Sequence, residues 1–156
     1  PEIKIVICGT GPFKEKLEMM AADKRLLNVY FLPLQSNEVF NNFLNIADVH
    51  LILQKGDASD LVMPSKLTTV LSVGGLALVT ANPGTTLYEV VTAHNMGVVV
   101  KPDNEDALRD AIVACCKADL SRERRNARKY AEDVLNKNNI LKSFSLKIDA
   151  VGIKKA

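Results

Sequence analysis

The sequence is poor in the residues that nucleic-acid-binding and membrane-spanning proteins need. It has no tryptophan, three tyrosines and five phenylalanines, and its formal net charge is only +2. A nucleic-acid-binding surface usually combines a concentrated basic face with aromatic side chains that stack on bases. We therefore expect no nucleic-acid partner. No apolar run approaches the roughly 18 residues that a membrane-spanning helix requires.

Cysteine and histidine are also scarce, with three cysteines and two histidines in 156 residues. Cys115 and Cys116 are adjacent, and Cys8 lies in a strand-like apolar run. An odd number of cysteines with two of them adjacent argues against a disulfide framework and favours a reducing, cytoplasmic location. Because no two cysteines have metal-ligand spacing with a histidine, we expect no bound metal and no other cofactor.

Short apolar runs alternate with helix-like segments along the whole chain. The runs that predict strands are residues 3–8, 28–32, 48–53, 76–80 and 97–100, and the first of them is predicted to be buried. Strands separated by helices indicate parallel pairing through helical crossovers. The sequence therefore predicts an α/β fold, a three-layer, Rossmann-like, doubly wound parallel sheet of about five strands, in a single domain over residues 1–156.

The helices are delimited by capping residues and by apolar stripes. Ser36, Thr85 and Asp103 are predicted N-caps, and Gly74 is a predicted C-cap. The stripes predicted to face the core include Leu17, Met20 and Ala21; Val39, Phe40, Phe43 and Leu44; Leu67, Val70 and Leu71; Leu108, Ala111, Ile112 and Cys115; Ala127, Tyr130, Ala131, Val134 and Leu135; and Ile140, Leu141, Phe144 and Ile148.

The most informative stretch runs from Met63 to Thr80. Pro64 and Ser65 open a predicted helix, and Lys66 lies in its first turn. A cation there costs about 0.3–1 kcal/mol, because a helix N-terminus carries roughly half a positive charge. A bound phosphate would make this position favourable for the lysine. The free N–H groups, the positive end of the helix dipole and the lysine would then all stabilise the same negative charge. The pattern favours an anion site, and the alternative is a solvated lysine whose stem packs on its helix.

The loops after the predicted strands locate this candidate site within the fold. Ligands of doubly wound sheets bind beyond the carboxyl ends of the strands, near the switch point in strand order. The loops at that edge are residues 9–13, 32–36, 54–65 and 80–86. Gly9 and Gly11 follow a strand as in a dinucleotide fingerprint, but Lys14 replaces the third glycine and no acid closes the second strand. We therefore interpret them as a tight turn.

In order, these motifs resemble the C-terminal, donor-binding domain of glycosyltransferase family 4, which has the GT-B architecture of two facing Rossmann-like domains. The similar pieces are residues 5–12, 28–33, 47–49, 64–67, 74–80 and 97–100. The resemblance extends to about Leu141. The sequence Pro64-Ser65-Lys66-Leu67 is most similar to bacterial exopolysaccharide transferases of the colanic-acid type.

The resemblance implies that the domain binds a nucleoside diphosphate sugar. Ser65 and Lys66 would contact its diphosphate or sugar. The residues that would border the ribose and base are Leu32, Pro33, Leu34 and Thr69, and the glycine loop would contribute Gly9 and Gly11. Many family members carry two glutamates eight positions apart, but Leu61 and Thr69 occupy those positions here. Asp57 and Asp60 are the candidate acidic contacts.

The resemblance also implies a parent enzyme in polysaccharide or glycoconjugate biosynthesis. It would transfer a hexose, with retention and without a metal, to a saccharide or lipid-linked acceptor, in the cytoplasm or at the inner face of the membrane. The acceptor domain is absent, so we expect residues 1–156 alone to be inactive. The alternative is a non-catalytic nucleotide-sensing or protein-interaction module of the same fold.

Two further expectations concern the start of the chain and its basic run. The chain begins at Pro1, which favours processing or truncation, and the family's domain normally has one more strand, between those that match residues 3–8 and 48–53. We expect these two strands to pair directly, in the order 2-1-3-4-5. The basic run at residues 122–129 is predicted to be the solvated face of a helix, with contact to a membrane surface as the alternative.

Overall fold

The computed structural model describes residues 3–58 and 63–150. The strands in this part of the chain are β1 (Ile5–Cys8), β2 (Val29–Leu32), β3 (His50–Ile52), β4 (Ala77–Thr80) and β5 (Gly97–Val100). The helices are α1 (Lys14–Asp23), α2 (Asn37–Asn45), α3 (Ser65–Ser72), α4 (Thr86–Ala93), α5 (Glu105–Cys115), α6 (Ser121–Asp133) and α7 (Lys137–Ala150), and a 3₁₀ turn covers Gly56–Ala58. The predicted α/β class is confirmed, and every strand pair is parallel.

The strands form two sheets, one in each of two compact units. In Pro1–Ile46, β1 pairs with β2, and in Ala47–Ala156 the order is β3-β4-β5. The predicted pairing of β1 with β3 is therefore wrong for the described residues. Each observed pair joins strands that are consecutive in the chain and linked by one crossover helix. An apolar pattern marks a strand but does not specify a neighbour that is distant in sequence.

The larger unit is built in three layers around β4. All four residues of β4 are buried, as expected for a central strand that is covered on both faces. Ala77 and Val79 pack with the buried faces of α3, α4 and α6. Leu78 packs on the opposite face in a second cluster with Leu76, Val100 and Cys115, against which α5 lies.

The predicted inner faces of α3, α5 and α6 are largely confirmed. Those of α1, α2 and α7 are mostly exposed, although Ala21, Phe43, Leu44 and Ile148 are half-buried. Neither α1 nor α2 contains a buried residue. The predicted core residues that are exposed are Leu17, Met20, Val39, Phe40, Val134, Ile140, Leu141 and Phe144. Helical periodicity identifies an apolar stripe, but burial needs a second surface to cover it. Two helices on a two-stranded sheet offer too little structure to enclose a core.

Two arginines of the basic run bind backbone carbonyls, so the run is more than a solvated face. Arg128 donates to the carbonyl of Ser72, the last residue of α3, and Arg124 donates to the carbonyl of Asp48, just before β3. A cation at a helix C-terminus satisfies a free carbonyl and complements the helix dipole. Val73 is the C-cap of α3, and Gly74 follows it with a φ of 65°, so the predicted C-cap is wrong by one residue.

The two adjacent cysteines are expected to differ in reactivity toward N-ethylmaleimide. Burial, with a smaller contribution from the charge of Cys116, raises the pKa of the Cys115 thiol. A raised pKa leaves less of the reactive thiolate at neutral pH. Cys116 is exposed and should be modified first, and the lag of Cys115 should shrink as the pH rises. Timed labelling followed by peptide mass spectrometry measures both rates, and equal rates at pH 7 would contradict this prediction.

Candidate functional site

Ser65 and Lys66 lie at the first turn of α3, as the sequence predicted. Pro64 is the N-cap, with a φ of −65° and a ψ of 124°, and no side chain in the described part of the chain caps this end. Both side chains are exposed, whereas Leu67 next to them is buried. The start of α3 therefore presents backbone N–H groups and a lysine to solvent, on a helix that its buried face holds in place.

This helix start lies at the carboxyl edge of the three-stranded sheet. The helix α3 connects β3 to the parallel strand β4 and contacts both strands. A crossover helix begins on the side where the preceding strand ends. Ser65 and Lys66 therefore lie on the same side as the loops that follow β3, β4 and β5, which is the side on which sheets of this class bind ligands.

Thr69 and Asp57 are in different environments within this unit. The Thr69 hydroxyl is 3.4 Å from the Ser65 carbonyl oxygen one turn earlier, to which it donates. Asp57 is exposed in the 3₁₀ turn after β3. Asp60 and Leu61 lie outside the described residues.

Three residues that sequence reasoning did not assign to the site form hydrogen bonds between the loops that follow the strands. They are Thr80, Asn82 and Asp103. The Thr80 hydroxyl accepts from the Gln54 N–H and donates to the Gln54 carbonyl, both at 2.7 Å. The Asn82 side-chain amide donates to the Gly56 carbonyl at 3.1 Å, and an Asp103 carboxylate oxygen accepts from the Gly56 N–H at 3.0 Å. Because the partners are 26 and 47 positions apart, no local pattern could have revealed them.

The prediction that Asp103 caps α5 is wrong by one residue. Asn104 is the N-cap, and its side chain accepts from the Ala107 N–H at 2.9 Å. Asp and Asn are both strong N-caps, so the sequence alone did not distinguish them. Asp103 has a φ of 54°, and its carboxylate binds Gly56 instead.

In the smaller unit, the glycine loop lies beside the predicted base-bordering loop. The Gly9 N–H donates to the Leu32 carbonyl at 3.2 Å, and the Cys8 thiol lies 3.1 Å from the Pro33 carbonyl oxygen. Gly9 has a φ of 142°, a conformation that favours glycine. Leu34 is two-thirds exposed, at 67%. The pairing of β1 with β2 thus brings Gly9 together with Leu32 and Pro33.

Within the described residues, the structure contains neither a cluster of metal-binding side chains nor a membrane-spanning helix. Residues 3–58 and 63–150 contain no group of three His, Cys, Asp or Glu side chains that could hold a metal ion. In the same ranges, no helix combines the length and the apolar character needed to cross a bilayer. An open groove of about 410 Å³ lies along α6 and α7, and its lining includes Val134, Ile140 and Phe144 rather than the residues around Lys66.

Sequence comparison identifies a family profile and a named relative. The sequence profile described as glycosyl transferases group 1 matches residues 1–134. A protein of Escherichia coli K12 that is named a colanic acid biosynthesis glycosyl transferase, WcaI, is 41% identical over an alignment of 141 positions, which covers 88% of this chain. The chain spans about a third of that relative's length, 34%.

Solved structures agree on the fold. Anabaena HepE in complex with UDP has a TM-score of 0.76 at 13% identity, over 96% of this chain and 42% of that one. The HepE complex with UDP-glucose has a TM-score of 0.74 at 14% identity, over the same shares of both chains. A glycosyltransferase from Rickettsia africae has a TM-score of 0.75 at 17% identity, over 98% of this chain and 41% of that one.

Proposed function

This chain belongs to the group 1 glycosyl transferases, and from that membership we propose that it is the nucleotide-sugar-binding domain of a retaining glycosyltransferase. The parent enzyme transfers a hexose from a nucleoside diphosphate sugar to a saccharide or lipid-linked acceptor in polysaccharide or glycoconjugate biosynthesis. Residues 1–156 bind the donor, and on their own they do not transfer the sugar, because they match only about a third of the length of WcaI, 34%.

The observation that carries this proposal is the exposed lysine at the uncapped start of α3. Lys66 and the first-turn N–H groups lie at the ligand-binding edge of a parallel sheet, where a negative charge is stabilised by dipole, donors and cation together. Charge develops on the leaving diphosphate as the sugar is transferred. We assign Ser65 and Lys66 to that diphosphate, so the domain would lower the barrier without a metal ion.

The relatives support the substrate class and the pathway. The HepE structures contain UDP and UDP-glucose, which are a nucleoside diphosphate and its sugar conjugate. The name of WcaI refers to colanic acid, a polysaccharide product, and its 41% identity makes it a close guide to chemistry. We infer the same donor class for this chain.

The remaining assignments concern the nucleoside and the acidic contacts. In the smaller unit, Gly9, Gly11 and the loop of Leu32, Pro33 and Leu34 would border the base. In the larger unit, Thr69 occupies the position at which a glutamate usually binds the ribose, and its hydroxyl is a smaller, neutral substitute. Asp57 and Asp60 are the acidic groups that we assign to the ribose or the sugar.

We place the parent enzyme in the cytoplasm, peripherally at the inner membrane face. The three cysteines are free, in keeping with a reducing compartment. Because Arg124 and Arg128 bind backbone carbonyls, the exposed Arg122 and Arg125 are the part of the basic run that remains for anionic headgroups.

Calorimetric titration of the full-length protein with UDP-, GDP- and dTDP-sugars tests the proposed function. We expect one donor to bind in the micromolar range and the matching nucleoside diphosphate to compete with it. Residues 1–156 should release no nucleoside diphosphate from that donor in the presence of acceptor extracts, whereas the full-length protein should. Absence of binding by all three donor classes would contradict the proposal and favour a non-catalytic module.

A further inference from the structure

The backbone of Gly56 is held from both sides by side chains of two other loops. Its N–H donates to Asp103, which follows β5, and its carbonyl accepts from Asn82, which follows β4. Two positions earlier, Thr80 at the end of β4 binds both polar groups of Gln54. Four directed hydrogen bonds therefore fix residues 54–56, the segment that leads into the turn carrying Asp57.

This arrangement leaves little room for a side chain at Gly56 and places Asp103 in left-handed backbone. A Cβ atom on Gly56 would lie 3.0 Å from the Asp103 carboxylate oxygen and 3.6 Å from the Asn82 amide nitrogen. Asp103 has a φ of 54°, and left-handed backbone of this kind persists in non-glycine residues only where the surroundings stabilise it. The Asp103 carboxylate does not cap α5. With the left-handed backbone at Asp103, the carboxylate accepts a hydrogen bond from the Gly56 N–H instead.

We propose that Asp103 and Asn82 are positioning residues for the nucleotide-sugar site. They hold the Gly56–Ala58 turn, and with it Asp57, at the carboxyl edge where α3 presents Ser65 and Lys66. Neither residue needs to touch the donor, because each acts through the backbone of Gly56. This inference rests on the proposed function and adds to it two residues that the family resemblance did not indicate.

The energetic reason is preorganisation. A loop that must be ordered when a ligand arrives reduces the affinity by the entropy of that ordering. A loop that side chains from the rigid strand ends already hold avoids most of that loss. The Asp103 bond has a charged acceptor, which makes it stronger than a bond between neutral groups. Loss of this bond should therefore weaken donor binding while the fold remains intact.

Two substitutions of Asp103 in the full-length protein separate the hydrogen bond from the backbone conformation. Asp103→Gly relieves the left-handed strain but removes the acceptor, and Asp103→Asn keeps an oxygen that can accept from Gly56 and tolerates this φ. With UDP, GDP and dTDP as probes in calorimetry, we expect about tenfold weaker binding of the preferred nucleotide by Asp103→Gly, and a change under about threefold for Asp103→Asn. The melting temperature of the unliganded Asp103→Gly protein should stay close to that of the wild type.

The outcomes distinguish this inference from the proposed function. If the wild type binds a nucleotide and Asp103→Gly binds it equally well, the positioning role is wrong and the proposed function stands. Equal losses in the Gly and Asn variants would also overturn it, because the amide would then fail to replace the carboxylate. If the wild type binds none of the three probes, both proposals fail. Should Asp103→Gly not fold, Asn82→Ala, which removes the other bond, must show the same weakening.

Discussion

Replacing Lys66 by alanine is expected to weaken the binding of the preferred sugar nucleotide by about ten- to a hundredfold, because a hydrogen bond to a charged group is worth about 1.5–3 kcal/mol. The same substitution should leave the unliganded protein as stable as before, or slightly more stable, since a cation in a first helical turn is unfavourable. Affinity and stability therefore move in different directions, which an unfolding artefact would not produce. Calorimetry and thermal melting of the full-length protein measure both.

Two control variants make the Lys66 experiment specific. Lys142→Ala removes an exposed lysine from α7 and tests the effect of net charge alone. Lys66→Arg keeps the positive charge at the start of α3, so it should retain most of the affinity. If Lys66→Ala binds the donor as tightly as Lys142→Ala does, the diphosphate is not held by this lysine.

Replacing Gly97 by alanine is expected to reduce the free energy of unfolding by about 3 kcal/mol, at the upper end of what overpacking usually costs. A Cβ atom at this position would lie 2.5 Å from the Ala77 carbonyl oxygen and 3.2 Å from a Val91 methyl group. Gly97 pairs with Ala77 in the ladder between β5 and the buried central strand β4. Relief of the clash would therefore disturb the sheet that carries the site.

Gly11→Ala is the matched control for this effect. A Cβ atom on Gly11 meets no atom within 4 Å, and its φ lies outside the left-handed region. The control should leave the urea midpoint of the full-length protein unchanged, whereas Gly97→Ala should lower it clearly. Similar midpoints for the two variants would contradict this prediction, because they would mean that β4 and β5 accommodate the added Cβ atom without loss of stability.

Local features of the fold were predictable where one short segment determines them. Thr85 was predicted to cap α4, and its hydroxyl accepts from the Tyr88 N–H at 3.3 Å. Ser36 precedes α2 as predicted, although its side chain does not cap the helix. The apolar run at residues 76–80 predicted a strand, and β4 lies there with all four residues buried. The prediction that residues 3–8 form a buried strand is wrong, because β1 contains no buried residue.

Features that depend on distant partners were not predictable in the same way. The apolar stripe of Phe40 and that of Phe144 identified helices, but both side chains are exposed because nothing in the described residues covers them. The pairing of β1 with β3 failed for a related reason, since strand patterns do not encode neighbours. A local sequence pattern shows which side chains are apolar, but it does not show which surface of the folded chain covers them.

In the candidate site, too, the residue with a local signal was predictable, and the residues that depend on distant partners were not. Lys66 stood out because its charge conflicts with its local position, and such a conflict is visible in sequence. Asn82 and Asp103 did not stand out, because each has an ordinary local explanation. Asn82 is typical of a turn, and Asp103 is typical of the start of a helix. Only the folded chain shows that both side chains meet at Gly56.

The most direct test of the central claim is a crystal structure of the full-length protein with the nucleoside diphosphate that calorimetry selects. We expect diphosphate oxygens within about 3 Å of the Lys66 ammonium group and of a first-turn N–H of α3, the distances of charge-assisted hydrogen bonds. A nucleotide bound elsewhere, with Lys66 in solvent, would contradict the assignment of this helix start as the diphosphate site.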